Sequence, residues 1–249
     1  MIQIFCTSIE ATLKPFAQLN LNDSFAVNIF VVDCTLFYGH LTSLEKFLHK
    51  TEIEPIKRFK NLNNQRNKLV GRSVRKWIIS RYLQIAPVDI LFETDEFGKP
   101  FCRIASIKNI FFNSADSGKY MVFICANKPV GIDIELIDGT FRYDEIVAAY
   151  FTELEKKILT KDPQNNSLFY TFWTRKEAVL KAIGKGLQED LGSIEVVDGV
   201  NQNTNDCCTI IKRFIVSSFV IAQNYFISFA LPVSKNKIAF YSILPEDMI

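Results

Sequence analysis

The chain has 249 residues, of which 48% are hydrophobic and 22% are charged, and it contains 22 Phe but only 10 Gly and 8 Pro. This composition excludes disordered, collagen-like and linker-dominated proteins, while the length suits one large domain or two small ones. Because 29 Lys and Arg nearly balance 27 Asp and Glu, the net charge is only +2. We therefore expect no nucleic acid as partner, and any basic site must be local.

The start of the chain, its apolar runs and its cysteines predict a soluble, cytoplasmic protein without a membrane partner. MIQIFCTSIEATLKPF has no basic segment and no continuous apolar run, and later apolar runs fall far below the ~18 residues of a membrane span. The six Cys lack CxxC spacing, which favours reduced thiols. The two histidines, His40 and His49, exclude a multi-histidine zinc site, so a catalytic metal must rely on oxygen ligands.

The predicted elements of the first half begin with an apolar strand over residues 25–34. Helical periodicity follows over residues 43–60 and 64–83, and then come a short strand, ILFET, and the turn DEFGKP. Two aromatic strands, IKNIFFN and KYMVFICA, are separated by a polar turn over residues 114–118.

The second half opens with the strand VGIDIE at residues 130–135 and continues with helices over 143–159 and 167–183. Four strands close it, around SIEVV, FIVSSFVIA, YFISFAL and KIAFYSI. We therefore predict an α+β fold with two halves of similar build, residues 1–127 and 128–249. One continuous domain with a single sheet is the alternative.

The strand VGIDIE places two carboxylates on one face. Side chains alternate along a strand, so Ile132 and Ile134 point one way while Asp133 and Glu135 point the other. The two carboxylates would hold one hard cation between them or repel each other without it. An acidic, half-exposed strand is the alternative interpretation.

The helix LFYTFWTRKEAVLKAIGKGL adds a third carboxylate. Helical spacing puts Trp173, Glu177, Lys181 and Gly184 along one stripe. An ordinary Glu-to-Lys pair is the alternative, but the aromatic neighbours and the terminal glycines favour a ligand site. Glu177 with the two strand carboxylates would make an all-oxygen site suited to Mg²⁺, which completes its coordination with water and phosphate oxygens.

A phosphate ligand needs cations, and one predicted helix supplies them. Its apolar residues lie on one face, so several of its cations are expected to point to solvent or to a ligand, either a phosphate ester, a nucleic acid or an acidic protein. A solvated basic face is the alternative. The cations are Arg66, Lys68, Arg72, Arg75, Lys76 and Arg81.

GIDIE, FT-x-x-E and FWTRKEAVLKAIGKGL occur in this order, and with the upstream EFGKP and KRF…LVGR stretches the sequence resembles the surfactin-synthetase-type 4′-phosphopantetheinyl transferases. The resemblance spans roughly residues 54–197. It implies two pseudo-symmetric α+β halves with the active site between them. It also implies Mg²⁺-dependent transfer of the phosphopantetheine arm of coenzyme A to a serine of an apo acyl or peptidyl carrier protein, with release of adenosine 3′,5′-bisphosphate.

Position by position, the resemblance implies Asp133, Glu135 and Glu177 as magnesium ligands. Lys181 would meet the phosphates and protonate the leaving group, and Lys176 and Trp173 would support the site. Glu155 aligns with the family's candidate base if a short insertion precedes it, and Glu153 is the ungapped alternative. The resemblance thus implies Glu155, Lys181 and Glu177 as catalytic residues and Asp133, Glu135 and Glu177 as metal ligands.

For coenzyme A, the resemblance implies binding by Lys99 with Arg66 or Lys68 and by Lys176 and Lys181, while Asn113 and Ser117 are retained from the family's Asn-x-Ser-His-Ser. Ser117 and the backbone amides of its turn would hold a phosphate. The family serine and histidine are replaced by Ala115 and Asp116. A carboxylate repels a phosphate that a histidine would bind.

Three hypotheses follow from these residues. The first is the transferase, a monomer because both halves of its site lie in one chain, acting on a carrier with an acidic helix that faces the basic helix. The second is a non-catalytic or altered-donor relative that binds coenzyme A or a carrier protein, which Asp116 favours. The third is a nucleic-acid-binding protein, which the balanced charge opposes.

Overall fold

Strands and helices alternate in both halves of the computed structural model, which describes residues 2–21, 26–94, 100–162, 166–184, 191–203, 212–234 and 237–249. The strands are β1 Ile2–Ser8, β2 Leu13–Pro15, β3 Ala26–Asp33, β4 Glu93–Thr94, β5 Pro100–Phe101, β6 Phe111–Ser117, β7 Tyr120–Ala126, β8 Gly131–Leu136, β9 Gly199–Asn203, β10 Lys212–Ile221, β11 Tyr225–Pro232 and β12 Lys237–Ser242. The helices are α1 Leu41–Glu45, α2 Lys50–Lys57, α3 Leu62–Leu83, α4 Arg103–Ile107, α5 Asp144–Tyr150, α6 Glu153–Leu159, α7 Asn166–Ile183 and α8 Pro245–Met248.

Two five-stranded sheets form the centre of the molecule. One sheet has the order β2-β12-β3-β7-β6 and the other has the order β8-β11-β10-β1-β9. Within them, β3-β7-β6 and β8-β11-β10 have the same topology. All neighbours in each set are antiparallel, and the strand that comes first in the chain pairs with the strand that comes last. The α+β fold class is therefore confirmed, and the two halves repeat one topology.

The terminal strands cross between the halves. β1 pairs in parallel with β10 in the sheet of the second half, and β12 pairs in parallel with β3 in the sheet of the first half. The division between residues 127 and 128 stays a prediction. β1 and β12 each lie in the sheet of the half to which this division does not assign them.

The core has three parts, each of which fills the space between two neighbouring layers of a four-layer structure. Alternation along the strands sends one face of each sheet to a helix and the other face to the opposite sheet. In β3, Phe30 and Val32 pack under α3, whereas Ile29 and Val31 pack between the sheets. In β8, the isoleucines pack between the sheets, so the layers run α3, first sheet, second sheet, α7.

Several predicted elements are confirmed and two predicted helices are divided. The strand at residues 25–34, the long helices and the last three strands are present. The segment 43–60 contains the end of α1 and the whole of α2, because Glu52 accepts a hydrogen bond from the backbone of His49 and caps a new helix. The segment 143–159 contains α5 and α6, and there the side chains of Thr152 and Glu155 form the capping box.

Two local predictions were wrong and one short helix was missed. Residues 114–117, predicted as a turn, continue β6, in which Ser117 pairs with Tyr120 of β7. SIEVV contains the end of a 3-10 helix, Leu191–Ser193, rather than a strand, and α4 was not predicted. The described cysteines, Cys6, Cys34, Cys102 and Cys125, are buried thiols that form no disulfide. No helix in the described ranges is both long and apolar enough to span a membrane.

Candidate functional site

Helix α7 lies directly against the start of β8. A Cβ atom at Gly131 would overlap the carbonyl oxygen of Ala178 and would lie 2.5 Å from the backbone nitrogen of Ala182. Only glycine permits this approach, which carries the α7 side chains to the acidic face of β8. In the sequence, Gly131 was recognised only as part of the GIDIE motif. Its packing role could be seen only once the position of α7 was known.

The acidic face of β8 and the polar stripe of α7 meet beside this contact. The Nζ of Lys181 lies 2.6 Å from Oδ1 of Asp133. Oδ2 of Asp133 is buried without a hydrogen-bond partner. Asp133 and Glu135 thus share the face that the alternation predicted, and Lys181 of the predicted helical stripe reaches it.

Burial raises the pKa of all three carboxyl groups at this site. For Glu135 the pKa rises to about 7, first because of burial and then because of the nearby charge of Asp133. Burial also raises the pKa of Asp133, against the opposing charge of Lys181. The pKa of Glu177 rises through burial and through Asp133. Asp133 therefore destabilises the charged forms of Glu135 and Glu177, and the charge of Lys181 does not offset this.

The donor chemistry of these carboxylates fits a hard cation. Among the described residues, no three His, Cys, Asp or Glu side chains are arranged as a complete metal site, and the ammonium group of Lys181 lies beside Asp133. The buried, unpartnered Oδ2 of Asp133 and the raised pKa of Glu135 nevertheless indicate a shortage of positive charge. Mg²⁺ suits few protein carboxylates supplemented by water and phosphate oxygens.

Asn113 and Ser117 bond to β8 through their side chains. Oδ1 of Asn113 accepts from the backbone nitrogen of Ile132 at 3.0 Å, and Oγ of Ser117 accepts from that of Leu136 at 3.1 Å. Ser117 also donates to Oε2 of Glu135 at 3.1 Å. Because residues 114–117 belong to a strand, the predicted turn begins only at Gly118, and phosphate binding by Ser117 stays a prediction.

Glu155 lies in the core of the second half. Its carboxylate accepts from the backbone nitrogens of Thr152 and Val196 and forms an ion pair with Lys176 at 2.9 Å. Both charged side chains are 0% exposed, and Lys176 also donates to the carbonyl oxygens of Leu191 and Ile194. A base must reach the hydroxyl group of an incoming protein, so this location contradicts the catalytic role expected for Glu155 and the phosphate contact expected for Lys176.

Glu153 and Trp173 also belong to the second half, the first at the surface and the second among aromatic side chains. The side chain of Glu153 is 82% exposed and pairs with Lys156 at 3.1 Å. The ring of Trp173 stacks on Phe169 and lies 6.3 Å from that of Tyr150. Neither residue contacts the acidic face of β8 through a hydrogen bond or ion pair, so Trp173 belongs to the aromatic packing of α7.

The basic helix has fewer free cations than predicted. Lys76 is fully buried and forms an ion pair with Glu52. Arg72 donates to the backbone oxygen of Glu52, and Arg75 donates to Ser114 while burial lowers its pKa. The expectation that these side chains point to solvent was wrong, because each has a partner on a neighbouring element.

Of the remaining predicted cofactor residues, Lys68 contacts the other face of β6. Nζ of Lys68 lies 2.8 Å from Oδ2 of Asp116, and both side chains are substantially exposed. The guanidinium group of Arg66 lies 5.1 Å from the ring centre of Tyr38. Lys99 lies outside the described residues. β6 therefore separates Lys68 from Ser117 and Glu135.

Two family models match most of the chain. A model of the 4′-phosphopantetheinyl transferase superfamily matches residues 129–230, and a model described as 4′-phosphopantetheinyl transferase, N-terminal, matches residues 38–128. These regions contain both long helices, the acidic face of β8 and the whole of β6.

Curated relatives extend the match. The chain is 33% identical over 152 residues to 4′-phosphopantetheinyl transferase Sfp of Bacillus subtilis (strain 168), covering 60% of this chain and 66% of the relative. It is 35% identical over 153 residues to 4′-phosphopantetheinyl transferase gsp of Aneurinibacillus migulanus, covering 60% and 62%. These alignments span slightly less than two thirds of either relative.

A third alignment is longer. The chain is 30% identical over 171 residues to 4′-phosphopantetheinyl transferase psf-1 of Bacillus pumilus, covering 68% of this chain and 72% of the relative. The superfamily model includes GIDIE, which begins at Gly131, where β8 contacts α7. The chain therefore belongs to the 4′-phosphopantetheinyl transferase family.

Proposed function

We propose that this protein transfers the 4′-phosphopantetheine arm of coenzyme A to a serine hydroxyl of an apo acyl or peptidyl carrier protein, with Mg²⁺ as cofactor. Family membership supports the reaction class. The observation that carries the assignment to particular residues is the meeting of β8 and α7, where Asp133 has a buried, unpartnered oxygen beside Lys181.

Asp133 and Glu135 would hold the metal, and Glu177 of the facing helix would complete the acidic set. The bound cation would neutralise charge on the pyrophosphate of coenzyme A and act as a Lewis acid. The chain's own residues fix the geometry, since β8 is paired along its length with β11 and the helix is pressed against Gly131. Such rigidity favours alignment of a bound pyrophosphate.

In the proposed reaction, the serine oxygen of the carrier forms a bond to the phosphorus that bears the pantetheine arm. The bond from that phosphorus to the oxygen of the second phosphate breaks, which releases adenosine 3′,5′-bisphosphate. Glu177, half-buried at the site, would accept the hydroxyl proton, and Nζ of Lys181 would donate a proton to the leaving phosphate oxygen. Glu155 has no part in proton transfer and instead holds Lys176.

The direct test is intact-protein mass spectrometry of an apo carrier protein incubated with this protein, coenzyme A and Mg²⁺. We expect a phosphopantetheine mass gain that EDTA abolishes and that Glu177→Gln slows by about 100-fold or more. Glu246→Gln, at an exposed carboxylate of α8, is the matched control. Loading by Glu177→Gln at the wild-type rate would overturn the assignment of Glu177.

A second candidate function is binding of coenzyme A or a carrier protein without transfer. The ion pair between Lys68 and Asp116 favours it, because Asp116 neutralises a cation that the resemblance assigns to phosphate binding. If no carrier is loaded although calorimetry shows coenzyme A binding, this candidate is selected. Restoring the family residue with Asp116→His should then tighten that binding, since the carboxylate no longer competes for Lys68.

A further inference from the structure

We propose that Asn113 and Ser117 form a side-chain clamp that joins the two sheets, and that Ser117 is in addition a positioning residue for Glu135. The clamp follows from the fold alone. The positioning role rests on the proposed function, because it matters only if Glu135 takes part in metal binding.

β6 and β8 lie side by side at the edges of different sheets. Both strands are fully described, and no backbone ladder joins them. The amides of Ile132 and Leu136 instead find acceptors in the side chains of Asn113 and Ser117. Each bond links residues 19 positions apart, so the two strands run in the same direction and the clamp keeps one register.

The spacing explains why side chains can replace a ladder. Asn113 and Ser117 are four residues apart, so they share one face of β6, and the two amides are four residues apart on β8. An unpaired edge amide buried between sheets would be costly, and a side-chain oxygen satisfies it as a backbone oxygen would. Between the two bonds lies Ala115, which packs into the core between the sheets.

Ser117 differs from Asn113 in its second bond. A hydroxyl group has one proton to donate and lone pairs with which to accept. Ser117 accepts from the Leu136 amide and uses its proton on Oε2 of Glu135. One oxygen atom therefore fixes both the backbone after Glu135 and the direction of its carboxylate, whereas Asn113 accepts a hydrogen bond from the backbone of Ile132.

The opposite face of β6 supplies a matched control. The hydroxyl of Ser114 accepts from Nη1 of Arg75 on α3 at 3.3 Å. Ser114→Ala therefore removes a serine hydroxyl from the same strand without touching β8. A change confined to variants of Asn113 and Ser117 would be specific to the clamp.

The first experiment measures amide hydrogen exchange residue by residue, relative to the Ile227 amide in the core of β11. Asn113→Ala should speed exchange at Ile132, and Ser117→Ala should speed exchange at Leu136, each by about tenfold, as expected for loss of one hydrogen bond. Ser114→Ala should change neither. Unchanged exchange at Leu136 in Ser117→Ala would overturn the clamp.

The second experiment titrates the protein with Mn²⁺, a hard cation visible by electron paramagnetic resonance, in the absence of coenzyme A. Ser117→Ala should weaken Mn²⁺ binding by about tenfold, while Asn113→Ala should leave it within about twofold of wild type. Ser117→Thr, which keeps the hydroxyl, should restore it. Equal affinity of wild type and Ser117→Ala would overturn the positioning role and leave the clamp standing.

The two readouts separate failure of this inference from failure of the proposed function. If wild-type protein binds no Mn²⁺, the metal role of Glu135 fails and the positioning role fails with it, but hydrogen exchange still decides the clamp. If Ser117→Ala does not fold, Ser117→Cys takes its place, since a thiol keeps similar volume but is a weak hydrogen-bond partner.

Discussion

The two halves of the molecule use the same helix construction. Lys76 of α3 and Lys176 of α7 are each fully buried, and each follows an arginine in the sequence. Their partners, Glu52 and Glu155, each occupy the third position of a preceding helix and cap it in a capping box. This shared frame makes positions in one half comparable with positions in the other.

At matching positions the halves carry different chemistry. In the strands that face the helices, Phe30 and Val32 of β3 occupy the places that Asp133 and Glu135 occupy in β8, counted from the strand pairs Asp33–Tyr120 and Leu136–Tyr225. One residue after each buried lysine stand Trp77 and Glu177. The first half has hydrophobic core residues at these three positions, whereas the second half has carboxylates.

The helices also approach their sheets differently. At the matching points, Asn28 of β3 donates to the hydroxyl of Tyr82 on α3, whereas Gly131 of β8 lies against the backbone of Ala182 on α7. Two small residues replace two large polar ones, and the second helix is pressed closer to its strand. The comparison shows that one topology can carry hydrophobic packing in one half and an acidic site in the other.

The largest effect expected from this comparison concerns the buried lysines. Glu155→Gln should lower the free energy of unfolding by about 3–5 kcal/mol, because it leaves Lys176 buried without a counter-charge. The matched Glu52→Gln should cost less, about 2 kcal/mol, because the side chain of Glu52 is 24% exposed and water can reach the pair. Urea unfolding measures both.

Equal losses in these two variants would break the comparison. A small loss for Glu155→Gln would also contradict the structural role of Glu155, since a carboxylate that serves catalysis rather than packing should be removable at little cost in stability.

The next effect concerns the close approach of α7. Gly131→Ala should lower the free energy of unfolding by about 2–3 kcal/mol, because the new methyl group overlaps the Ala178 carbonyl and forces helix and strand apart. Gly139→Ala is the control, since a Cβ there meets nothing within 4 Å. Thermal unfolding of the two variants measures the difference, and equal melting temperatures would show that the contact is loose.

The smallest effect concerns a compensated acid in the first half. Burial acts to raise the pKa of Asp33, but hydrogen bonds from Lys119 and Thr35 outweigh it and lower the pKa. A lowered pKa gives stability that is present above the unfolded value of ~3.9 and is lost as the pH falls through the folded value. Asp33→Asn should therefore cost about 1 kcal/mol at pH 7 and progressively less below about pH 4.

Unfolding midpoints at pH 7 and pH 3 test this directly. A constant difference between wild type and Asp33→Asn at both values would mean that the charge of Asp33 contributes nothing. The contrast with Glu135 would then be weakened, since that carboxyl group has a raised pKa in the second half.

The sequence predicted what alternation and helical spacing control. The shared face of Asp133 and Glu135 and the stripe that carries Glu177 and Lys181 required only local periodicity. The partners of Lys76 and Lys176 lie 24 and 21 residues away on separate helices, so no local pattern indicated that these cations are buried.

The same limit explains the wrong turn before Gly118. Ser114, Asp116 and Ser117 have turn propensity, but pairing with β7 and the bonds to β8 and α3 hold them in a strand. Tertiary contacts thus outweighed local preference. The prediction of a catalytic role for Glu155 has a related weakness, because a match to a motif does not show whether the side chain is buried.

The exchange of terminal strands has a consequence for synthesis on the ribosome. The first half needs β12, at residues 237–242, to complete its sheet between β2 and β3. It therefore cannot finish folding when its own residues emerge, although domains commonly fold in the order of synthesis. Completion of this sheet is coupled to translation of residues 237–242, so a chain truncated before them would leave an unpaired strand edge in the first half.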